Sequence, residues 1–262
     1  MKILGNFTDL KELGEGGYGI VYGAKDKDGK DVALKTVKNE EDQEIVETIQ
    51  REYRYLKKLD HPNIVKVYDF FYEEGVHFFS MELLEGQDLH SIRNEGKIDL
   101  AVIADYIMQV AKAIEAIDYA CLVHRDIKPE NMFLTNEGNI KLLDFGLIYD
   151  PLSIHVEKDD DMFGTPYFMA PEYIAGENDL TVKYDIYSLG VSFFFLLEKR
   201  YPFVGKDTQE VLKNHMYEEL EKLNNVPDWV NDLLQMMTNK NPTKRPSPEL
   251  VISLIKKGLE DN

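Results

Sequence analysis

The chain has 262 residues, a formal net charge of -18 and one cysteine, Cys121. Such a charge repels phosphate backbones and anionic headgroups, which excludes nucleic acid and membrane surfaces as main partners. A single cysteine excludes an internal disulfide and a cysteine-built metal site, and fits a reducing compartment.

The N-terminus MKILGNFTDL has no apolar stretch suited to a signal peptide. The longest apolar run, IYSLGVSFFFLL at 186–197, falls short of the roughly 20 residues of a membrane span. It reads as a buried helix, so a cytoplasmic protein with no membrane segment is expected.

The first strand-like stretch is FTDLKELGEGGYGIVYGAKDKDGKDVALKTV, where apolar and polar residues alternate and Asp28-Gly29 marks a hairpin turn between IVYGAK and VALKTV. Within it, LGEGGYGIV holds Leu13, Gly14, Glu15, Gly16, Gly17, Tyr18 and Gly19, a GxGxxG spacing. Alone, such glycines serve ordinary turns as readily as phosphate loops. Among phosphate loops, a Walker loop would place Lys and Ser or Thr straight after the last glycine, where Ile20 and Val21 stand. A dinucleotide fold would have the glycines open a helix, whereas this chain continues as strand, turn and strand. What remains is a hairpin whose glycine tip lies over phosphates.

Lys35 lies on the strand that closes the hairpin. A helical pattern follows, with Ile45, Ile49, Glu52, Leu56 and Leu59 spaced 4, 3, 4 and 3. Glu52 therefore lies within the apolar stripe, and a carboxylate on a buried face requires a cationic partner. Lys35 is the natural candidate, and the pair would hold the lysine toward the α and β phosphates of a nucleotide. The apolar runs IVKVYDF and VHFFSMELL complete a sheet-based first part, expected to span 1–84.

From 85 to 262 the periodicity is helical. In DLAVIADYIMQVAKAIEAIDYA, Val102, Ile107, Val110, Ile114 and Ile117 draw a stripe and Asp99 offers an N-cap. TVKYDIYSLGVSFFFLL, PDWVNDLLQMMTN and SPELVISLIKKGL are later candidates, the last with Ser247 as cap and Pro248 at the first helical position. The expected fold is α+β in two lobes, with the ligand in the cleft between them.

The densest chemistry is in LVHRDIKPENMFL, where His124, Arg125, Asp126, Lys128 and Asn131 fall within eight residues between apolar flanks. Further on, IKLLDFG places Asp144 at the end of an apolar strand. Magnesium prefers oxygen ligands shared with phosphates, so Asn131 and Asp144 form a candidate metal clamp, with manganese as the alternative ion.

The ordered set GEGGYG, VALK, Glu52, HRDIKPEN, DFG, GTPYFMAPE and YDIYSLG resembles the eukaryotic-type protein kinase family from about Phe7 to Leu259. HRDIKPEN and GTPYFMAPE are similar to the serine/threonine branch, and DIYSLGV, with Tyr187 in place of the usual Trp, looks like bacterial members. The resemblance implies ATP and magnesium as cofactors and proteins with serine or threonine acceptors as partners.

It further implies that Asp126 accepts the hydroxyl proton, Lys128 steadies the γ-phosphoryl, and Asn131 and Asp144 hold the metal. Adenine would lie between Val21 and Ala33 above and Phe133 below, with backbone groups of Glu82 and Leu84 at its edge, Met81 at the back pocket and Asp88 near the ribose. Val67, Leu56, Phe145 and His124 would stack as a spine linking the lobes. Glu172 should pair with Arg245, and Asp185 should anchor the catalytic loop. Met162, Pro166 and Met169 would receive the residue after the acceptor. Phe195 stands where kinases preferring arginine two residues before the target carry Glu, so that preference is not expected. In EKDDDMFGTP, Asp161 would supply the charge that a phosphothreonine supplies in related kinases, helped by Asp159 and Asp160. The alternative function is a pseudokinase, a nucleotide-dependent binding module without catalysis.

Overall fold

The computed structural model describes residues 4–16, 19–96, 98–153, 164–177 and 179–261. Its first part is an antiparallel sheet of β1 (Thr8–Glu15), β2 (Gly19–Lys25), β3 (Asp31–Val37), β4 (Val67–Glu73) and β5 (Val76–Glu82), in the order β1-β2-β3-β5-β4, with helix α1 (Gln43–Leu56) between β3 and β4. The β2–β3 turn forms because the Asp26 carboxylate accepts from the N–H groups of Asp28 and Lys30, while Gly29 takes a φ of 79°. That left-handed value is one glycine adopts freely.

Helix α1 begins where the Asp42 side chain accepts from the N–H groups of Glu44 and Ile45, satisfying two otherwise unpaired donors. Its buried face carries Val46, Ile49, Glu52 and Leu56. Leu59 lies beyond the helix end, although it is buried as the stripe predicts. The outer face of the sheet has its own small core of Leu4, Phe7, Ala24, Val32, Leu34 and Phe78.

The second part starts with β6 (Gly86–Asp88), α2 (Leu89–Glu95) and α3 (Leu100–Tyr119), followed by β7 (Met132–Thr135) and β8 (Ile140–Leu142). Strands β6, β7 and β8 pair in that order as a second antiparallel sheet. The stripe of α3 runs through Ile103, Ile107, Val110, Ile114 and Ile117, while Val102 is 39% exposed. Steps of 4, 3, 4 and 3 keep the first five on one line, and Val102 falls one position, about 100°, off it. Asp99 is at the cap, yet its carbonyl rather than its side chain accepts, from Val102 and Ile103.

Helices α4 (Pro171–Ile174), α5 (Val182–Glu198), α6 (Thr208–Tyr217), α7 (Asp228–Met237) and α8 (Pro248–Glu260) complete the described chain. Ser247 and Pro248 start α8 as expected. Helix α5 is buried on almost every side, with Phe193, Phe194 and Leu196 wholly enclosed, and its buried polar residues Asp185, Ser188 and Ser192 are hydrogen-bonded. Burial of each such apolar side chain contributes about 1.5–3 kcal/mol. Helix α7 comes so near α5 that a Cβ on Gly190 would stand 2.8 Å from the Cβ of Met237.

The main core passes continuously from Ile49, Leu56 and Phe79 through Phe145 to α3 and α5, which welds the two lobes together. The fold is thus α+β and two-lobed, as the sequence pattern leads one to expect. Among the described residues, no helix is long and apolar enough to cross a membrane.

Candidate active site

Buried Glu52, in the stripe of α1, meets Lys35 of β3 at 2.7 Å. Lys35 also reaches the Asp144 carboxylate at 3.0 Å, so one ammonium bridges two acids. Glu52 additionally accepts from the Phe145 N–H at 3.3 Å. Burial opposes charge on Lys35, but the Asp144 and Glu52 carboxylates outweigh it and raise the lysine above its ordinary value. Burial pushes Glu52 up against the pull of Lys35. Lys35 holds the Asp144 carboxyl at about 2, so this acid is ionised at neutral pH.

The loop after α3 brings a second set together. Lys128 Nζ lies 2.8 Å from Asp126 Oδ2 and donates to Thr165 Oγ1 at 3.0 Å. Asn131 Nδ2 donates to both the carbonyl and Oδ2 of Asp126 at 2.8 Å. Asp126 is 8% exposed, so its carboxylate is held in one orientation with little freedom. Among the described residues the Asn131 Oδ1 takes no hydrogen bond, and with the ionised Asp144 it offers hard oxygen donors. That donor set fits a divalent cation.

The loop is not an ordinary turn. Arg125 and Asp144 take φ values of 67° and 57°, a left-handed conformation that costs an L-residue roughly 1–2 kcal/mol each. Asp185 of α5 compensates from below, accepting from the His124 N–H at 2.8 Å and the Arg125 N–H at 3.0 Å. Desolvation raises the Asp185 carboxyl to about 7 despite those two donors. The His124 ring packs edge-on against Phe145 at 4.5 Å, and burial lowers its pKa to about 4, so it remains neutral. Phe145, Leu56 and Val67 lie in the same core, which brings the expected spine into one cluster.

Around the cleft, Val21 pairs with Lys35 across β2 and β3, Ala33 pairs with Met81, and Phe133 pairs with Asp88 in the second sheet. Asp88 caps α2 by accepting from the Ser91 N–H at 2.8 Å. Gly19 abuts the β3 backbone, where a Cβ would come 2.5 Å from the Thr36 carbonyl oxygen. Gly16 donates its N–H to the Gly19 carbonyl at 2.8 Å, closing the tip of the hairpin. Leu13, before it, is 52% exposed. Glu15 pairs with Lys38 at 2.5 Å. Gly17 and Tyr18 lie outside the described residues, as do Asp159, Asp160, Asp161 and Met162.

Glu82 differs from a simple edge-reading residue. Its N–H is bonded to the Lys66 carbonyl at 2.9 Å, so its own carbonyl is the backbone group left to offer. Its side chain turns to Lys141, at 2.6 Å, and to the Lys66 N–H. That side chain lines a cavity of about 540 Å³ with Leu84, Asp31, Pro62 and Glu137, and none of Val21, Ala33, Met81 or Phe133 borders it.

The platform below is fixed by Arg245 and Glu172, which form two parallel bonds of 2.6 and 2.7 Å with both side chains buried. Of the residues expected around the acceptor's neighbour, Met169 is buried and Pro166 opens the turn Pro166–Phe168. Phe195 stacks between Tyr201 and His90, at 5.1 and 5.4 Å.

Helical spacing found Glu52 but not two other ties from the same helix. The Tyr55 hydroxyl donates to Asp150 Oδ2 at 2.9 Å and Arg51 donates to the Gly146 carbonyl at 3.3 Å. Positions 51 and 55 flank Glu52 on one edge of the helix, a spacing visible in the sequence. Their partners are not, because they lie 95 residues away. The buried His215, which meets the Tyr187 hydroxyl at 2.9 Å, left no sequence signal.

A family model described as protein kinase domain matches residues 7–254. The chain is 32% identical over 253 residues to a probable serine/threonine-protein kinase of Clostridium perfringens, covering 93% of this chain and 37% of that protein. It is 32% identical to the serine/threonine-protein kinase PrkC of Bacillus subtilis, over 93% of this chain and 39% of that one. Identity to the serine/threonine-protein kinase PkaA of Streptomyces coelicolor is 33%, over 95% of this chain and 49% of its relative. The chain thus spans less than half the length of these three relatives.

Proposed function

The chain belongs to the protein kinase domain family, and from that premise we propose that it transfers the γ-phosphoryl group of ATP to serine and threonine hydroxyls of proteins. One observation carries this reading: Asp126 is held by Lys128 and Asn131, Lys35 by Glu52 and Asp144, and the two sets are near enough that Lys128 helps to lower the Asp144 carboxyl.

At this site the Asp126 carboxylate orients the substrate hydroxyl and takes its proton as the hydroxyl oxygen bonds to the γ-phosphorus. The bond from that phosphorus to the β–γ bridging oxygen breaks, and ADP leaves with the electron pair. Lys128, donating to Thr165, stays beside Asp126 and stabilises negative charge on the transferring group. Lys35 is kept protonated by two carboxylates and offers its ammonium to the α and β phosphates. Asn131 and Asp144 would hold a divalent cation, with magnesium the best match to two hard oxygen ligands, and that ion would neutralise charge on the phosphate oxygens. Little covalent work is asked of the protein, so catalysis rests on position and charge.

Leu13, Gly14, Glu15, Gly16, Gly19, Val21, Ala33, Met81, Glu82, Leu84, Asp88 and Phe133 are assigned to the nucleotide, and so, on sequence alone, are Gly17 and Tyr18, which lie outside the described residues. The boundary between lobes is placed at 84 and 85, and a reducing, ATP-supplied compartment such as the cytoplasm is assigned to the protein. A binding module without catalysis has no support, since Lys35, Asp126 and Asp144 are all present, Lys35 is paired with Asp144, and Asp126 and Asp144 both act on the charge of His124.

The test is incubation with ATP labelled at the γ-phosphorus, magnesium and a generic basic protein, followed by phosphoamino acid analysis. Label on phosphoserine and phosphothreonine is the expected result. Nucleotide binding without transfer, or label on tyrosine alone, overturns the proposal.

A further inference from the structure

Helix α1 must sit at one depth for Glu52 to reach Lys35, and its own contacts with the sheet leave one edge facing the segment that follows Phe145. Three bonds between described residues cross that edge. Glu52 accepts from the Phe145 N–H at 3.3 Å, Arg51 donates to the Gly146 carbonyl at 3.3 Å, and Tyr55 donates to Asp150 at 2.9 Å. The last is the shortest and the only one that joins a neutral donor to a side-chain carboxylate on the segment. All three bonds have one ionised partner, so all are charge-assisted, and it is length that sets the Tyr55–Asp150 bond apart.

Asp150 is a firm anchor for such a bond. Its other carboxylate oxygen accepts from the Leu152 N–H at 2.9 Å and its carbonyl from the Ser153 N–H at 3.1 Å, so a tight turn orients it. The preceding residue, Tyr149, exchanges two backbone bonds with Val123, at 2.9 and 2.8 Å. Val123 directly precedes His124, Arg125 and Asp126 in the chain. The route from the catalytic loop to the helix is therefore Val123, Tyr149, Asp150, Tyr55, and one turn along α1 to Glu52. Tyr55 remains a donor, because burial and then its bond to Asp150 raise the phenol above its ordinary value. Lys58 lies 5.0 Å above its ring and restricts it further.

We propose that Tyr55 and Asp150 form a positioning latch that couples the depth of α1, and with it the Glu52–Lys35 pair, to the catalytic loop. This rests on the phosphotransfer reading above. Neither residue touches the reacting groups, and each acts through Glu52. Without the latch, α1 keeps only the two bonds of 3.3 Å across this edge among the described contacts, and the fraction of molecules with Lys35 in place falls.

The experiment compares the full chain with Tyr55→Phe, Asp150→Ala, the double variant and Asp150→Asn, measuring kcat, KM for ATP and for a protein acceptor, and hydrogen exchange of the Phe145 amide. The expected outcome is a fall in kcat on the order of tenfold in either single variant, as loss of one charge-assisted bond implies. The double variant should be no worse than the singles, and Asp150→Asn, which keeps a hydrogen-bonding side chain, should retain most of the activity. The Phe145 amide should exchange faster in Tyr55→Phe, while the Phe168 amide of the platform stays as in wild type. Tyr55→Phe and Asp150→Ala within twofold of wild type, additive losses in the double, or equal changes at Phe145 and Phe168 overturn the latch. A wild-type chain that transfers no phosphate overturns the phosphotransfer reading instead, and exchange at Phe145 still reports on the latch.

Discussion

Replacing Arg245 by Met removes five hydrogen bonds from the floor of the substrate platform. Two go to the Glu172 carboxylate at 2.6 and 2.7 Å, and one each to the carbonyls of Asn239 at 2.7 Å, Lys183 at 2.8 Å and Lys240 at 3.4 Å. Glu172 is 7% exposed, so the variant leaves a buried carboxylate without its cation. Breaking a buried pair in this way costs about 3–5 kcal/mol. For a chain of this size each kcal/mol lowers Tm by about 2–4 °C, which gives a fall of roughly 6–20 °C. Replacing Glu172 as well, in Glu172→Met with Arg245→Met, removes the stranded charge and leaves the carbonyls of Asn239, Lys183 and Lys240 short of a donor. The double variant should therefore recover about half of the loss. Urea and thermal unfolding of the two single variants and the double measure this directly. A single variant that loses less than 1 kcal/mol, or a double whose loss equals the sum of the singles, would refute the reasoning.

Three further outcomes follow from the geometry. Gly19→Ala should cost about 1–3 kcal/mol in thermal melts, since its Cβ would meet the Thr36 carbonyl oxygen at 2.5 Å and Ile49 at 3.3 Å; Gly16→Ala, whose Cβ among the described residues meets only the Gly19 oxygen at 3.8 Å, should melt with the wild type. Lys35→Met should raise the Asp144 carboxyl from about 2, because the lysine charge is the largest cause of its depression, and carbon NMR titration of that carboxyl would detect it. His215 is buried and desolvation lowers it to about 3, so the unfolded chain takes up its proton first as pH falls below about 6.5. Stability from this group is complete above that pH and is lost on acidification toward 3. The stability difference between wild type and His215→Gln should therefore shift against the wild type by about 1 kcal/mol between pH 6.5 and 5.5, and parallel pH profiles would contradict it.

Local pattern carried much of this site. Glu52 was legible because a charge stood in an apolar stripe, and its partner Lys35 because an adjacent strand had to supply a cation. The β2–β3 hairpin was legible from Asp28-Gly29, and the start of α8 from Ser247 and Pro248. Periodicity placed the stripe of α3 correctly except at Val102, since one residue shifts a helical face by about 100°. Bonds between distant segments were not legible. Nothing near Glu82 announces that Lys66 takes its N–H, and nothing near Tyr55 points to Asp150. Helices α2 and α6 also escaped, because each buries only one apolar side chain, Leu89 and Val211, too few to draw a stripe, whereas α7, as short as α6, buries four.

The central claim is that Asp126 receives the proton of the acceptor hydroxyl. Its most direct test is Asp126→Asn, which keeps the size of the side chain and removes the base. Transfer of phosphate from ATP to a protein acceptor and binding of ATP are measured on the same preparation. Transfer should fall by about 10²–10⁴-fold, the range of a lost general base, while ATP binds within a few-fold of the wild type. Transfer that persists near the wild-type rate in Asp126→Asn would contradict it.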